Sequence, residues 1–320
     1  MACRAERVSA GPAQRRNGGC KFDRVCRSLL ARDAGSQRAA DVDAFDFLSE
    51  QLLWVDQTIG KCAEMTLTAR QQEILDTVQN LRVTDIRDGM DWVGLHHVGS
   101  VSPEIRPLWR TKAAGFATTC RHIPTQQAVP TLSPSDYTKW AYEYWYGEVW
   151  AGGVSEVLGE GSFLVVDTCN TQTPAVGSMD SMVYAAQGAR GVLTNGGTRD
   201  SDETLASKAI PIWSRWIVQP MYQGRVEWGG HSMPVEIGGQ LVRPGDLVVA
   251  DGDGAIIVPI AVVDDVLTYA IQESENDKAD RAVLFDRLGI PRDESTVSKF
   301  DVAPHPYAKT PEDIDKTIGR

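Results

Sequence analysis

Apolar residues at Ile74, Leu75, Val78 and Leu81 recur at helical spacing through ARQQEILDTVQNL (69–81), and Thr68 stands where a side-chain cap opens a helix. A second short helix, VTDIRDGMDWVG (83–94), ends at Gly94. Alternating and apolar runs then predict strands at AAGFATTCRHI (113–123), SFLVVDT (162–168), GVLTNGG (191–197), AIPIWSRWIV (209–218) and RVEWGGHSMPVEIGGQLV (225–242). In PGDLVVADGDGAIIV (244–258) two apolar runs flank an Asp-Gly-Asp-Gly turn, the strongest hairpin signal of the chain. A long helix follows from about Val262 to Leu288, with Val266, Leu267, Ala270 and Ile271 on one face. The pattern predicts one main α/β domain with a central sheet over 65–290. The polar, proline-dotted segment 291–320 predicts an extended arm or a disordered tail.

The order strand, loop, helix, strand, loop between Ser162 and Asp200 gives the fold a place for a site. Its helix, SMDSMVYAAQG (178–188), is entered after Gly177 and closed at Gly188. A right-handed crossover of this kind places the loops 166–178 and 195–203 side by side beyond the strand ends. The amides of Ser178, Met179 and Asp180 then face an anion at the helix start. From the adjacent strand, NGGTRDSDE (195–203) offers Arg199, a fixed fork of donors for a carboxylate or phosphate. Asp200, with Glu203 three positions on, suits a hard cation such as Mg²⁺ and its waters. Taken alone, an Arg-Asp pair after a double glycine is better explained by a solvated surface ion pair on a turn.

Composition narrows the setting. The chain has 320 residues, is 42% hydrophobic and carries a formal net charge of −11. That balance argues against a nucleic-acid partner but not against small anions, for which local arginines matter more than the total. No apolar run reaches the roughly 18 residues of a membrane helix, so no membrane association is expected. The cysteines (Cys3, Cys20, Cys26, Cys62, Cys120, Cys169) show no CxxC pairing and no zinc spacing. Free thiols and a cytoplasmic location are the expectation. Residues 1–64 form a separate N-terminal extension, with Arg4, Arg7, Arg15, Arg16, Lys21 and Arg24 outnumbering the acids in its first part. This extension reads as a disordered tail, as sequence ahead of a natural start at Met65, or, less favoured, as an organelle transit peptide. Within it, 44–62 has helical spacing at Phe47, Leu48, Leu52 and Val55.

The array Gly177, Gly188, Gly191, Gly197, Arg199, Asp200, Glu203, followed by PGDLVVADGDGAIIVP, closely resembles the RraA-like family. Further matches lie at RVTDIRDGMDWVG (82–94) and EIRPLW (104–109), so the resemblance covers about residues 75 to 290. It implies a β/β/α swivelling-type fold in a homotrimer or a hexamer of two trimers, with active sites between subunits. It also implies one of two kinds of function: class II pyruvate aldolase or oxaloacetate decarboxylase chemistry, or a non-catalytic regulator that binds an enzyme partner. Regulator-type members generally lack an acidic residue three places after the aspartate; Glu203 is present here, which favours the lyase branch. Two departures stand out. Ser178 occupies the place where family enzymes often carry an acid, the nearest carboxylate being Asp180. The segment 121–158 is longer than the usual connection, and its aromatic run (Tyr142, Tyr144, Trp145, Tyr146, Trp150) reads either as a lid over a larger pocket or as a helix packed into the core or a trimer interface.

On this resemblance, Asp200 holds Mg²⁺ (or Mn²⁺) and Glu203 orients one of its waters. Gly177, Ser178, Met179, Asp180 and Arg199 bind a small 2-oxo acid, and Arg199 stabilises the enolate. Asp167 supports the pocket by hydrogen bonding, and Glu273 or Glu275 of a neighbouring subunit assists the water network. His231 is more readily a structural histidine than a ligand, and His96 and His97 sit at a helix end where charge meets the dipole. Asp251 and Asp253 read as turn chemistry rather than metal ligands.

Overall fold

The computed structural model describes residues 66–150, 153–303, 308–317 and 319, all within one compact unit. The expected extension 1–64, its helix at 44–62 and a start at Met65 lie outside the described residues. The chain opens with α1 (Ala69–Val78), whose Thr68 cap accepts from the Gln71 amide while the Gln71 side chain accepts from the Thr68 amide. Next comes α2 (Val83–Trp92), and then the strands β1 (Arg106–Pro107) and β2 (Ala113–Pro124). The segment after β2 forms α3 (Pro134–Trp140) and a run of wide π-type turns (Ala141–Val149). The middle of the chain is β3 (Ser162–Asp167), β4 (Pro174–Val176), α4 (Ser178–Ala186), β5 (Gly191–Thr198), α5 (Ser201–Ser207) and β6 (Ile212–Ile217). The remainder is β7 (Val226–His231), β8 (Val235–Ile237), β9 (Gln240–Val242), β10 (Leu247–Asp251), β11 (Gly254–Val258), α6 (Val263–Leu288) and α7 (Pro311–Thr317).

One large mixed sheet runs in the order β1-β6-β5-β3-β2-β10-β11, with β4 added on β5 and β7 on β2. Strands β2, β3, β5 and β6 run parallel to one another, β1 and β10 pair antiparallel at the two ends of that block, and β10 and β11 form the expected antiparallel hairpin. Strand β2 is the hinge of the architecture, because its first half pairs with β10 and its second half with β7. The predicted strand over 225–242 is three short strands instead. Gly230, near the end of β7, and Ser232, just past it, lie at positive φ, and Gly238 and Gly239 make the turn of the separate β8–β9 hairpin.

The period-two alternation of the strands divides the core between two faces. Leu247, Val249, Ile256 and Val258 join Ile86, Met90, Val266 and Ala270 under the helices. Their alternates Val248, Ala250, Ala255 and Ile257 meet Phe163, Val165, Leu193 and Trp213 on the other side. Helices α2 and α6 approach closely at Gly89, where an added Cβ would lie 2.4 Å from the Val266 carbonyl oxygen. Strand β3 is buried along its whole length, as expected of a parallel strand covered on both faces. The C-terminal segment is not simply an extended arm. It carries α7, whose Ile314 is buried and whose Asp315 takes a two-pronged contact from Arg287 of α6 at 2.6 and 2.7 Å. No helix among the described residues is long and apolar enough to cross a membrane.

Candidate active site

Strand β5 delivers Arg199 and Asp200 to the start of α4, beside Gly177. The Arg199 amide bonds to the Val176 carbonyl at 3.1 Å, which ties the end of β5 to β4 and so to the helix start. Asp200 adopts the left-handed region, φ 54° and ψ 45°, a conformation aspartate tolerates better than most residues. In this conformation the carboxylate meets the start of α4 and the Arg199 side chain. Its Oδ1 accepts from Arg199 Nε at 3.1 Å and its Oδ2 from the Ser178 amide at 3.3 Å. The pair is therefore not a free surface ion pair: both side chains are about one-third exposed, at 30% and 34%. Among the described residues the Nη nitrogens of Arg199 have no protein partner and remain available to an anion.

Gly177 forms the floor. A Cβ there would stand 2.8 Å from Asp200 Oδ2, 3.5 Å from Arg199 Cγ and 3.6 Å from Asp180 Oδ2. The helix start was expected to offer free amides to an anion, but the chain occupies part of it itself. The Gly177 amide donates to Asp180 Oδ2 at 3.0 Å, in addition to the Ser178–Asp200 bond. Asp180 also accepts from the Tyr222 hydroxyl at 3.4 Å. Burial pushes its carboxyl above the ordinary aspartate range, against the pull of the Gly177 amide and Tyr222 hydroxyl. Met179, by contrast, is exposed, and Glu203 stands exposed on the first turn of α5.

Asp167 works one layer below. Its Oδ1 accepts from the Cys169 amide and from Asn195 Nδ2, both at 2.8 Å, and its Oδ2 from Arg121 Nε at 3.0 Å. Asn195, fully buried, passes the connection on: its Oδ1 accepts from the Thr168 amide at 2.7 Å and its Nδ2 also donates to the Glu236 carbonyl at 3.0 Å. The loop after β3 is thereby locked to β5, the strand that carries Arg199. Nothing in the sequence pattern singled out Asn195 except a polar residue near the end of an apolar strand.

The segment 121–158 reaches the same place. Trp150 stacks on Tyr222 with ring centroids 4.5 Å apart and planes at 27°, and His122 meets Trp150 edge-on at 4.5 Å. Tyr146 donates to Gln223 Oε1 at 2.7 Å. Burial pushes its phenol up to about 12, with Tyr142 adding to the shift and Arg199 opposing it, so Tyr146 lies within the field of the site. Trp145, fully buried, is core packing, and Tyr142 and Tyr144 are exposed. The aromatic run thus divides between the two readings of the sequence.

Other residues lie apart. Glu275 pairs with Lys278 at 2.6 Å and accepts from the Lys299 amide, and Glu273 accepts from Trp92 Nε1 at 2.8 Å. Within the chain, neither is brought to Arg199 by any of these contacts. His231 bonds to Ser232 Oγ at 2.9 Å, and His96 is an exposed partner of Asp91. Asp251 accepts from the Val83 amide at 2.9 Å and the Asp253 amide at 2.8 Å, which is cap and turn chemistry. Cys120 and Cys169 are both free thiols.

Among the described residues no three His, Cys, Asp or Glu side chains gather into a metal cluster. The donor set at Asp200 still fits a hard divalent cation. Each of its oxygens accepts a single N–H and keeps lone-pair capacity. One carboxylate is also what Mg²⁺ accepts when it retains most of its water shell.

The RraA-like family model (Aldolase/RraA) matches residues 83–257, more than half of the chain, and the chain belongs to that family. A Halalkalibacterium halodurans protein named as a proposed 4-hydroxy-4-methyl-2-oxoglutarate aldolase is 30% identical over 132 residues, 40% of this chain and 60% of that protein. An Arabidopsis thaliana protein named as a proposed aldolase of the same kind is 32% identical over 107 residues, 32% of this chain and 61% of that protein. The chain thus spans about three fifths of the length of these relatives. Among solved structures, the Streptomyces coelicolor RraAS2 protein superposes with a TM-score of 0.52 at 24% identity, covering 68% of this chain and 96% of that one. An uncharacterized protein from Pseudomonas syringae pv. tomato gives 0.55 at 20% identity, covering 70% and 96%. These likenesses establish the swivelling-type α/β fold.

Proposed function

We propose that this protein is a divalent-metal-dependent carbon–carbon lyase that cleaves a 4-hydroxy-2-oxo acid to pyruvate and a carbonyl product, decarboxylates oxaloacetate, or does both. One observation carries the reading: Arg199 and Asp200, at the end of β5, meet the start of α4 at a glycine with no room for a side chain. The family, and the aldolase names of relatives at 30% and 32% identity, support it.

The open Nη fork of Arg199 suits the carboxylate and keto oxygen of a 2-oxo acid. As the bond beyond C3 breaks, its electron pair moves into the C2–C3 region and negative charge collects on the C2 oxygen. Arg199 stabilises that charge more in the transition state than in the substrate, which is what accelerates the step. A cation such as Mg²⁺ or Mn²⁺, held by Asp200 with Glu203 on one of its waters, would supply further positive charge to the same oxygen. Nε of Arg199 is kept on Asp200, so the guanidinium is oriented before substrate arrives. Decarboxylation needs no base. Aldol cleavage needs one for the 4-hydroxyl proton, and Asp180, whose Oδ2 borders Gly177 as the Asp200 carboxylate does, is the carboxylate placed to serve. In this reading the working form is a homotrimer or a hexamer of two trimers, with the site between subunits; light scattering measures its mass.

The test is pyruvate release from a panel of 4-hydroxy-2-oxo acids and oxaloacetate by the purified full chain with Mg²⁺. EDTA and Arg199→Ala should each abolish it. If no acid yields pyruvate, the lyase reading fails and a non-catalytic, partner-binding protein takes its place.

A further inference from the structure

Asp180 and Asp200 are held on successive backbone amides. Gly177 donates to Asp180 Oδ2 at 3.0 Å and Ser178 to Asp200 Oδ2 at 3.3 Å, so both carboxylates meet the start of α4. Their remaining oxygens differ. Asp200 Oδ1 is taken by Arg199 Nε, whereas Asp180 Oδ1 accepts from no protein group among the described residues.

The helix start does not hold Asp180 alone. The Tyr222 hydroxyl donates to the same Oδ2 at 3.4 Å, a long contact across 42 residues. Several contacts fix the phenol in turn. Its ring stacks on Trp150, and the buried His122 meets it edge-on, with centroids 6.1 Å apart and planes at 89°. Its carbonyl accepts from the Arg225 and Val226 amides at 3.0 and 3.3 Å, at the entry to β7. The next residue, Gln223, accepts from the Tyr146 hydroxyl. Trp150 and Tyr146 both belong to the long segment 121–158, which therefore braces Asp180 through Tyr222. All of these contacts lie within one chain and do not depend on assembly.

The two reactions of the lyase reading break the same bond but differ by one proton. In aldol cleavage the 4-hydroxyl gives up its proton as the C3–C4 bond breaks, and C4 becomes the carbonyl carbon of the second product. The electron pair of the bond becomes the enolate, which takes a proton at C3 to give pyruvate. In oxaloacetate C4 leaves as CO₂, and no proton is removed. A group that holds the base therefore matters to the first reaction and not to the second.

We propose that Tyr222 is a positioning residue for aldol cleavage: braced by Trp150, its hydroxyl fixes Asp180 through Oδ2 and leaves Oδ1 to take the 4-hydroxyl proton. This rests on the lyase reading and deepens it, by separating Arg199 and Asp200, which serve either reaction, from a pair that serves only one.

The experiment measures pyruvate release by the full chain with Mg²⁺ from a panel of 4-hydroxy-2-oxo acids and from oxaloacetate. It takes the ratio of kcat for the best hydroxy acid to kcat for oxaloacetate. Both rates are read on one sample, so any loss of folded protein cancels. Asp180→Asn should lower the ratio about a hundred-fold, the scale of a positioned general base. Tyr222→Phe keeps the ring stack and should lower it about five-fold, through kcat rather than KM, the scale of one hydrogen bond. Added to Asp180→Asn, Tyr222→Phe should change the ratio no further, because it acts through Asp180. Equal falls in both reactions, no fall in either, or a further loss in the double variant would overturn the proposal and leave the lyase reading intact. So would a parent that decarboxylates oxaloacetate and cleaves no hydroxy acid. If the parent cleaves a hydroxy acid but not oxaloacetate, calorimetry with oxalate, a planar dianion shaped like the enolate, replaces the second rate. A fall in kcat with oxalate bound as tightly as by the parent then upholds the proposal, and loss of both overturns it. No pyruvate from any acid would overturn the proposal and the lyase reading together.

Discussion

The Ser178 amide donates to Asp200 Oδ2 at 3.3 Å, joining the start of α4 to the end of β5 across 22 residues. The contact exists because Gly177 has no side chain: a Cβ would stand 2.8 Å from that same oxygen. Gly177 has φ −114° and ψ −177°, extended backbone open to any residue, so the demand for glycine is steric. Gly177→Ala should therefore displace the Asp200 carboxylate while leaving the fold intact. We expect turnover to fall about ten-fold to a hundred-fold, from misplacement of a group at the reacting centre. The thermal midpoint should move by only a few degrees.

Asp200 separates charge from geometry. It occupies the left-handed region, where asparagine is tolerated as well as aspartate. Asp200→Asn should keep the turn and a thermal midpoint close to that of the parent, with its one amide oxygen on the Ser178 amide and the Arg199 Nε contact given up. It removes the negative charge, and with it the cation. Calorimetric titration with Mg²⁺ or Mn²⁺ should lose its binding signal, and lyase activity should drop about a hundred-fold or more. Retention of both would show that Asp200 serves only the turn.

Much of this site was legible in the sequence because its elements are of the most readable kinds. Strand β5 is a fully buried run broken at glycines, and α4 is bracketed by Gly177 and Gly188, so their order alone placed Arg199 near Ser178. The long 225–242 run was not legible as three strands, because the break depends on positive φ at Gly230, Ser232, Gly238 and Gly239. Tyr222 escaped as a site residue, and Tyr146 was legible only as one member of a candidate lid, for a different reason. Each acts through a contact with a distant segment, to Asp180 and Gln223, which no local period encodes. Occupation of the helix start by Asp180 and Asp200 is likewise a tertiary fact.

Asn195 is expected to be the most sensitive polar residue beneath the site. It is fully buried and bonded to Thr168, Asp167 and the Glu236 carbonyl. Asn195→Ala would leave the Thr168 amide and one Asp167 oxygen short of a partner in a low-dielectric setting. The cost should be about 2–4 kcal/mol, from the unsatisfied groups plus the small cavity. Denaturant unfolding should show a lower midpoint with an unchanged slope. A midpoint within experimental error of the parent would mean that water replaces the amide without loss.

His122 gives the fold a defined acid sensitivity. It is 4% exposed, enclosed by Trp150, Tyr222 and Trp228, and among the described residues its Nδ1 has no hydrogen-bond partner. Burial lowers its pKa from 6.5 to about 3, the Asp167 charge opposing this only in part. The imidazole is therefore neutral in the native state wherever the unfolded chain begins to protonate. Above pH 6.5 the two states bind the same number of protons and the group is silent. As pH falls from there toward 3, only the unfolded state takes up the proton, so stability is lost across that window. At pH 5 the loss should be about 2 kcal/mol relative to pH 7.5. His122→Phe preserves the ring contacts and removes the titration. Its unfolding free energy should consequently fall less than the parent's between pH 7.5 and pH 5, by about that amount. Parallel pH profiles for the two proteins would sink the assignment.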